Sequence, residues 1–204
     1  MPSISATLAT LALLAGPIAA YKLPYGVTDG TYVAYFNETG HEVHQLIDTA
    51  PVAAAKHSRD FTTSLSARQH GVGGEGADDH AVWITHCGCG RPQLNHGDCD
   101  AAVADLKGQL GRNTLIDGGK AYYSIRGGVV AFACDPVKNW QAAASSDLMA
   151  AAADHITKAC GWYIPGTAEF DHDFAAEAAY LGYMAYSAGL DFCGNAIASG
   201  QSKC

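Results

Sequence analysis

The sequence predicts an α+β fold, an antiparallel sheet with two helices on one face, stabilised by disulfide bonds. Three observations lead to this prediction. All seven cysteines lie between Cys87 and Cys204. Two segments in the same part of the chain place apolar residues at helical spacing. Several short runs rich in β-branched and aromatic residues are bounded by glycine, as strands are. A sheet with both helices on one face buries their apolar stripes together.

The first residues of the chain predict export. An apolar run from Leu8 to Leu14 is followed by a Gly-Pro step and by small residues that end at Ala20. This is the pattern of a secretory signal peptide over residues 1–20, cleaved after Ala20. The run is too short to span a bilayer. We therefore expect a secreted, extracellular protein, not an integral membrane protein, whose cysteines form disulfides.

Residues 30–47 predict a β-hairpin, because two β-rich runs flank an Asn/Gly turn. Asn37-Glu38-Thr39 at that turn is a glycosylation sequon, and its position would leave it accessible, which predicts a glycoprotein. His41 and His44 would point to opposite faces of an extended strand. That placement favours ordinary solvated histidines over a metal-binding pair.

Residues 49–76 show no periodicity and end in a Gly-rich run, which predicts a linker. Because every cysteine lies beyond it, we expect residues 21–68 to form a pro-segment that is cut after Arg68. Exposed linkers are where proteases cut, and an uncut tether is the alternative. Residues 69–80 would then be the flexible start of a cysteine-rich α+β domain at residues 81–204.

The elements of this domain follow in order. Residues 81–87 are rich in β-forming residues and are stopped by Gly88, which predicts a strand. Asp98 offers a helix cap and Gly111 a helix stop. Between them, apolar residues at spacings of four, three and four form one helical stripe: Cys99, Val103, Leu106 and Leu110.

The second half of the domain continues the pattern. Residues 120–125 and 129–134 flank Arg126-Gly127-Gly128, which predicts a hairpin. Residues 146–159 form a second helix, which Gly161 stops. Its predicted face is Leu148, Ala152, Ile156 and Ala159. The remaining predictions are a strand at residues 162–164, a helix that begins at residues 175–180 and a last strand at residues 181–186. This order is close to that of a ferredoxin-like sandwich.

An odd number of cysteines leaves one without an intramolecular partner. That residue would be free or would link two chains in a disulfide-linked dimer. Cys87 and Cys89 are too close in sequence to bond to each other comfortably, so each reaches elsewhere, and Cys204 is a natural clasp for the end of the chain. Bridges from Cys99 and Cys160 to Cys87, Cys89 or Cys134 are all open. The disulfide candidates are Cys87, Cys89, Cys99, Cys134, Cys160, Cys193 and Cys204.

The negative net charge of the chain argues against two classes of binding partner. It has 20 Asp and Glu against 12 Lys and Arg, a net charge of -8. Nucleic acids and anionic lipids select basic surfaces, so neither is an expected partner. An extracellular protein, a glycan or a cell-surface target remains, and no cofactor is predicted.

One cluster suggests a metal-binding alternative. Zinc takes cysteine and histidine ligands in fours, and residues of these types lie close together in the sequence. Their spacings match no known zinc finger, and the secretory pathway oxidises thiols, which favours disulfides with ordinary histidines. The candidate ligands are His86, Cys87, Cys89, His96 and Cys99.

A second cluster suggests a hydrolase alternative. The acidic stretch that begins at Glu169 contains Asp171, His172 and Asp173. Two carboxylates and a histidine are what acid/base hydrolysis of the glycosidase or ribonuclease type requires. The competing interpretation is a solvated loop. Nearby aromatic residues could stack on sugars or could be half-buried packing residues: Trp162, Tyr163, Tyr180, Tyr183 and Tyr186.

The layout of the chain resembles that of secreted fungal cysteine-rich proteins. A signal peptide, a Gly-Thr-Tyr hairpin and a linker are followed by Trp83, Asp98-Cys99, the run Val130-Ala131-Phe132-Ala133-Cys134 and Cys160-Gly161. Among such proteins it is similar to the killer-toxin-like and Ecp2-type effector groups. The resemblance implies a compact sandwich that acts outside the cell on a host, as a virulence factor, or on a competitor, with no assigned catalytic residue. We therefore expect a toxin or effector that works by binding.

Overall fold

The computed structural model describes residues 21–48, 81–112, 115–135, 141–172 and 176–204. Within these ranges the predicted fold class is confirmed: a large antiparallel sheet with two helices on one face and three disulfides. The predicted signal peptide ending at Ala20, the processing site at Arg68 and the Gly-rich start at residues 69–80 lie outside the described residues. They stay predictions.

The described residues form nine strands and two helices. In chain order these are β1 (Gly30–Phe36), β2 (Glu42–Asp48), β3 (Ala81–Cys87), α1 (His96–Leu110), β4 (Leu115–Asp117), β5 (Lys120–Arg126), β6 (Val129–Cys134), β7 (Gln141–Ala143), α2 (Ser146–Cys160), β8 (Gly166–His172) and β9 (Ala176–Ala185).

Seven of the strands form one sheet in the order β2-β1-β5-β6-β9-β8-β3. Each neighbouring pair is antiparallel. Strands β4 and β7 form a separate two-stranded sheet. The last strand, β9, therefore lies in the interior between β6 and β8, while β3 lies at one edge of the sheet.

The two helices begin and end where their sequences provide caps. The side chain of Asn95 accepts a hydrogen bond from Asp98 N–H at 3.1 Å and caps α1, so the expected cap at Asp98 is wrong. Asp98 instead accepts from Gly128 N–H at 3.0 Å and ties α1 to the β5–β6 turn. Ser145 caps α2. Neither helix has the length and apolar character needed to cross a membrane within the part of the chain described.

The helices pack on the sheet through the expected stripes, with one shift. In α1, Cys99, Leu106 and Leu110 are buried as predicted. In α2 the buried positions are Met149, Ala152, Ile156 and Cys160, whereas Leu148 and Ala159 are only half-buried. The buried face of α2 is therefore rotated relative to the predicted one and includes Cys160, which is bonded to Cys87 of β3.

The second face of the sheet is covered by chain segments without regular structure. Backbone hydrogen bonds join residues 21–23 to residues 189–192, so both segments lie together on this face. A second core of aromatic and aliphatic side chains lies beneath them and includes Tyr21, Leu23, Tyr123, Phe132 and Phe192. The sheet is thus buried from both sides.

The hairpin predicted inside the pro-segment is confirmed as β1 and β2, and it belongs to the large sheet. Strand β1 pairs with β5 over Gly30–Tyr35, so that Val33 lies opposite Tyr122. The described fold therefore does not divide between residues 21–68 and 81–204. Cleavage of the linker stays a prediction, and it would leave the hairpin held in the sheet.

Two of the predicted elements and one competing interpretation are wrong. Residues 162–164 are a turn rather than a strand, with Tyr163 in the left-handed region at φ 58°. Residues 176–180 belong to β9 rather than to a helix, and Glu169 to His172 belong to β8 rather than to a solvated loop. Pairing on both sides of β9 overrides the helix preference of its alanines.

Three disulfides connect six of the seven cysteines: Cys87–Cys160, Cys89–Cys204 and Cys134–Cys193. The expectation that Cys87 and Cys89 each bond elsewhere and that Cys204 acts as a clasp is confirmed. Of the open alternatives, Cys160 takes Cys87, while Cys99 is free and buried. Burial of Cys99 at 3% exposure also argues against a dimer linked through it.

Candidate binding groove

One end of the large sheet carries a groove of about 630 Å³. Its floor is the end of the sheet where β3, β8 and β9 contribute His86, Thr167 and Met184. One wall is the loop at residues 88–95, and the other is formed by Leu190 and by residues from the stretch 195–201. The groove therefore lies where three segments that are distant in sequence meet.

Two disulfides hold these segments in place. Cys87, the last residue of β3, is bonded to Cys160 at the end of α2. Cys89 in the loop is bonded to Cys204. The Cα atoms in the two bonds are 5.3 and 5.5 Å apart, within the range that a disulfide spans. Removal of either bond would loosen a wall of the groove.

The residues that line the groove differ in charge from the rest of the chain. The chain has a net charge of -8, yet none of the described lining residues is Asp or Glu. Arg91 and His86 are the basic side chains among them. Side-chain amides supply most of the remaining polar groups: Gln93, Asn95, Asn195 and Gln201. Such a lining offers hydrogen-bond donors and acceptors and one permanent positive charge.

His86 is held between two oxygen atoms. Its Nδ1 lies 3.0 Å from the backbone oxygen of Ser199, and its Nε2 lies 3.4 Å from Oε2 of Glu169. A carbonyl oxygen only accepts, so Nδ1 must carry the proton that it donates. The contact with Glu169 is diagonal across the β3–β8 pair, since Ile84 is the residue opposite Glu169.

A short C-terminal segment, residues 197–204, runs beside β3 and is called the clasp segment below. Cys87 N–H donates to Gln201 O at 2.7 Å, and Ser199 Oγ donates to Cys87 O at 2.5 Å. Cys204 N–H donates to Ala159 O at 3.0 Å. The clasp segment thereby satisfies outward-facing backbone groups at the end of an edge strand.

The cysteines that the zinc alternative requires in this cluster are not free to bind a metal. The sulfur atoms of Cys87, Cys89 and Cys204 lie within 4.8 Å of one another, but all three are in disulfides and carry no thiolate. The ring of His96 stacks on Tyr163 at 3.9 Å. Burial, together with Asp100 and Asp98, raises the pKa of the Cys99 thiol from 9.0 to about 12. Cys99 therefore stays protonated at neutral pH.

The hydrolase candidates lie on or beside β8. Asp171 and His172 are near the end of this strand, paired with Val82 and Ala81. Their side chains, and the whole of Asp173, lie outside the described structure. The described carboxylate of this stretch, Glu169, contacts His86 instead. One residue of the acidic cluster, Glu169, thus contacts one residue of the histidine–cysteine cluster, His86.

The aromatic residues that could stack on sugars are divided by the fold. Tyr183 is buried under the helices, and burial raises its pKa to about 12. Tyr180 and Tyr186 pack against the second core. Trp162 is 66% exposed, while Tyr163 stacks on His96. The tyrosines of β9 are therefore packing residues, as the competing interpretation held.

One polar cluster in the structure was not predicted from the sequence. His44 bridges Tyr123 and Glu42: Nδ1 lies 2.8 Å from the Tyr123 hydroxyl and Nε2 lies 2.8 Å from Oε1 of Glu42. In the sheet, His44 lies opposite Ala34 of β1, which in turn lies opposite Ala121 of β5. The expectation of a solvated histidine at position 44 is wrong. His41 lies at the exposed turn beside Thr39 and Asn37, where glycosylation of Asn37 stays a prediction.

A comparison of the chain with protein-family models, with characterised protein sequences and with solved structures finds no match. The geometry of the groove therefore carries the functional argument by itself.

Proposed function

We propose that the protein is a secreted, disulfide-stabilised toxin or effector that acts outside the cell by binding a host or competitor target in the groove. The observation that carries this proposal is the groove itself, about 630 Å³ in volume, with two disulfides fixing its walls. Its volume lies in the range of ordinary ligand sites. Disulfides that pre-set the walls reduce the entropy lost on binding.

The surroundings of His86 favour binding over turnover. A general base needs a free nitrogen to take a proton from its substrate. In His86 one nitrogen donates to Ser199 O, and the other faces Glu169. With the clasp segment in place, each ring nitrogen has a partner within the protein. The imidazole thereby joins the wall of the groove to β8 through these two contacts.

The lining also suggests the chemistry of the target. Amide side chains and Arg91 suit a ligand rich in hydroxyl, carbonyl or carboxylate groups. Glycans and extended protein segments both present such groups. A cationic target would gain little electrostatic binding energy in the groove, because the described lining residues include no carboxylate.

A matched pair of arginine variants tests the proposal. Arg91 is exposed in the groove, and Arg112 is exposed after α1, away from it. The purified protein is added to cells of a host or a competitor, and growth inhibition and surface binding are measured. We expect Arg91→Ala to weaken both about tenfold or more, as loss of a charge-assisted hydrogen bond does, and Arg112→Ala to leave them unchanged.

Circular dichroism of both variants controls for folding. An inert wild-type protein, or equal activity of the two variants, would contradict the proposal. Release of reducing sugar or of nucleotides by the wild-type protein, abolished in His86→Ala or in the Asp171→Ala/His172→Ala double variant, would favour the secreted hydrolase in its place.

A further inference from the structure

The three disulfides differ in their access to solvent. Cys87, Cys160, Cys134 and Cys193 are all buried. Cys204 is exposed and Cys89 is half-buried, so the Cys89–Cys204 bond is the accessible one. Exposed disulfides exchange with thiols more readily than buried ones, because the attacking thiolate must reach a sulfur atom along the S–S axis.

The clasp segment has little besides this bond to hold it. Every residue from 197 to 204 is exposed or half-buried, so no side chain of the segment belongs to the core. Its other contacts include hydrogen bonds to Cys87, His86, Ala159 and Asn195. Such bonds are exchanged for bonds to water when a segment leaves, so each contributes only modestly.

We propose that Cys89–Cys204 is a redox-sensitive clasp, and that its reduction by an extracellular dithiol releases residues 197–204 and opens the groove. Release of this wall of the groove does not depend on which target the groove binds. The buried Cys87–Cys160 and Cys134–Cys193 bonds keep the fold intact while the clasp segment leaves.

One dithiol molecule supplies both thiols, and both electrons, that reduction of the Cys89–Cys204 bond requires. One of its thiolates attacks Sγ of Cys204, and Cys89 leaves as a thiolate that takes up a proton. The second thiol of the reductant attacks the sulfur of the reductant in the mixed disulfide and releases the Cys204 thiolate. The products are two protein thiols and one oxidised reductant, with two electrons transferred to the protein.

Release changes the groove in three places. The groove loses the wall formed by Ala198, Ser199 and Gln201. His86 Nδ1 loses its acceptor. The N–H and C=O of Cys87, at the end of an edge strand, lose their partners. An edge strand with free backbone groups is a place where an extended segment of another chain can pair.

The test uses the full-length oxidised protein and graded dithiothreitol. Free thiols are alkylated and located by mass spectrometry, and amide hydrogen exchange is followed by NMR. We expect Cys89 and Cys204 to be alkylated at a dithiothreitol concentration at least tenfold lower than the other four bonded cysteines require. At that concentration the amide of Cys87, which donates to Gln201 O, should exchange at least tenfold faster.

Gly88 provides an internal control, because its N–H donates to Pro165 O at 2.8 Å and does not involve the clasp segment. Its exchange should not change. The Cys89→Ser/Cys204→Ser variant should show the fast Cys87 amide without any reductant. Simultaneous reduction of all three bonds, or a Cys87 amide that stays protected in this variant, would overturn the proposal.

Discussion

Replacement of Tyr21 by alanine tests whether residues 21–48 are part of the folded protein. Tyr21 is 1% exposed, packs against Phe36 and Phe192, and donates its hydroxyl hydrogen to Gly119 O. Tyr25, in the same segment, is 86% exposed. The two tyrosines therefore form a matched pair, in which chemistry and position in the chain are nearly equal and burial differs.

The expected difference is large. Truncation of a buried aromatic side chain to alanine costs about 3–5 kcal/mol of unfolding free energy. A surface substitution costs within about 0.5 kcal/mol. Tyr21→Ala should therefore lose a large part of a stability that is typically about 5–15 kcal/mol for a domain. Tyr25→Ala should unfold like the wild type.

Urea unfolding, followed by tryptophan fluorescence and circular dichroism, measures the difference. The two variants should have the same dependence on urea and different midpoints. Where Tyr21→Ala is too unstable to purify, Tyr21→Phe serves instead, because it removes only the hydrogen bond to Gly119 and should cost about 1 kcal/mol. Equal midpoints for Tyr21→Ala and Tyr25→Ala would refute the assignment of the segment to the core.

Cleavage of the linker provides a second measurement of the same point. Residues 49–80 connect β2 to β3, at opposite edges of the sheet, and a protease site can be placed among them. Burial of Tyr21, Leu23 and Tyr32 is worth roughly 1.5–3 kcal/mol per side chain. The two fragments should therefore co-elute on size exclusion and separate only in urea. A hairpin fragment that leaves a still folded remainder would contradict this reasoning.

Four further predictions follow from single residues. Cys99, buried with its pKa raised to about 12, should not react with a thiol reagent until the protein unfolds, when one thiol per chain should appear. Ser124→Ala should raise stability by about 1 kcal/mol in urea, because its buried Oγ has no partner among the described residues. Burial lowers the pKa of His155 below 6.5, so the unfolded chain takes up this proton before the folded one, and stability should fall as the pH drops through and below 6.5. The loss of stability should be smaller in His155→Phe. The fluorescence of Trp83, whose ring stacks on that of His155 at 4.8 Å, should report the titration. Gly182→Ala should abolish the recovery of folded protein, because a Cβ there would strike Gly166 O and the ring of Phe132.

The parts of the fold that depend on local sequence were predictable. The stripe from Cys99 to Leu110 and the glycine at position 111 predict α1 and its end, although the helix begins earlier than expected, after the cap at Asn95. The β5–β6 hairpin follows from two β-rich runs around Gly127 and Gly128. In both cases the residues that decide the structure are neighbours in the chain.

The parts that depend on distant contacts were not. The alanines of β9 favour a helix, and only pairing with β6 and β8 on either side makes them a strand. The contact of His86 with Glu169 depends on the register of β3 against β8. Register is a property of the folded sheet, and a shift of one residue would turn either side chain to the other face. Residues of the candidate site could therefore be identified from the sequence, but the contacts between them could not.

The pairing of β1 with β5 also has a consequence for how the protein is made. Val33 lies opposite Tyr122, so the inner edge of the hairpin has no partner until the ribosome has delivered a further stretch of nearly ninety residues. During that interval an unprotected strand edge and the apolar side chains of Tyr21 and Leu23 remain exposed to solvent. Production should therefore be limited by how well chaperones shield the nascent hairpin, and slower elongation should lower the yield of native protein.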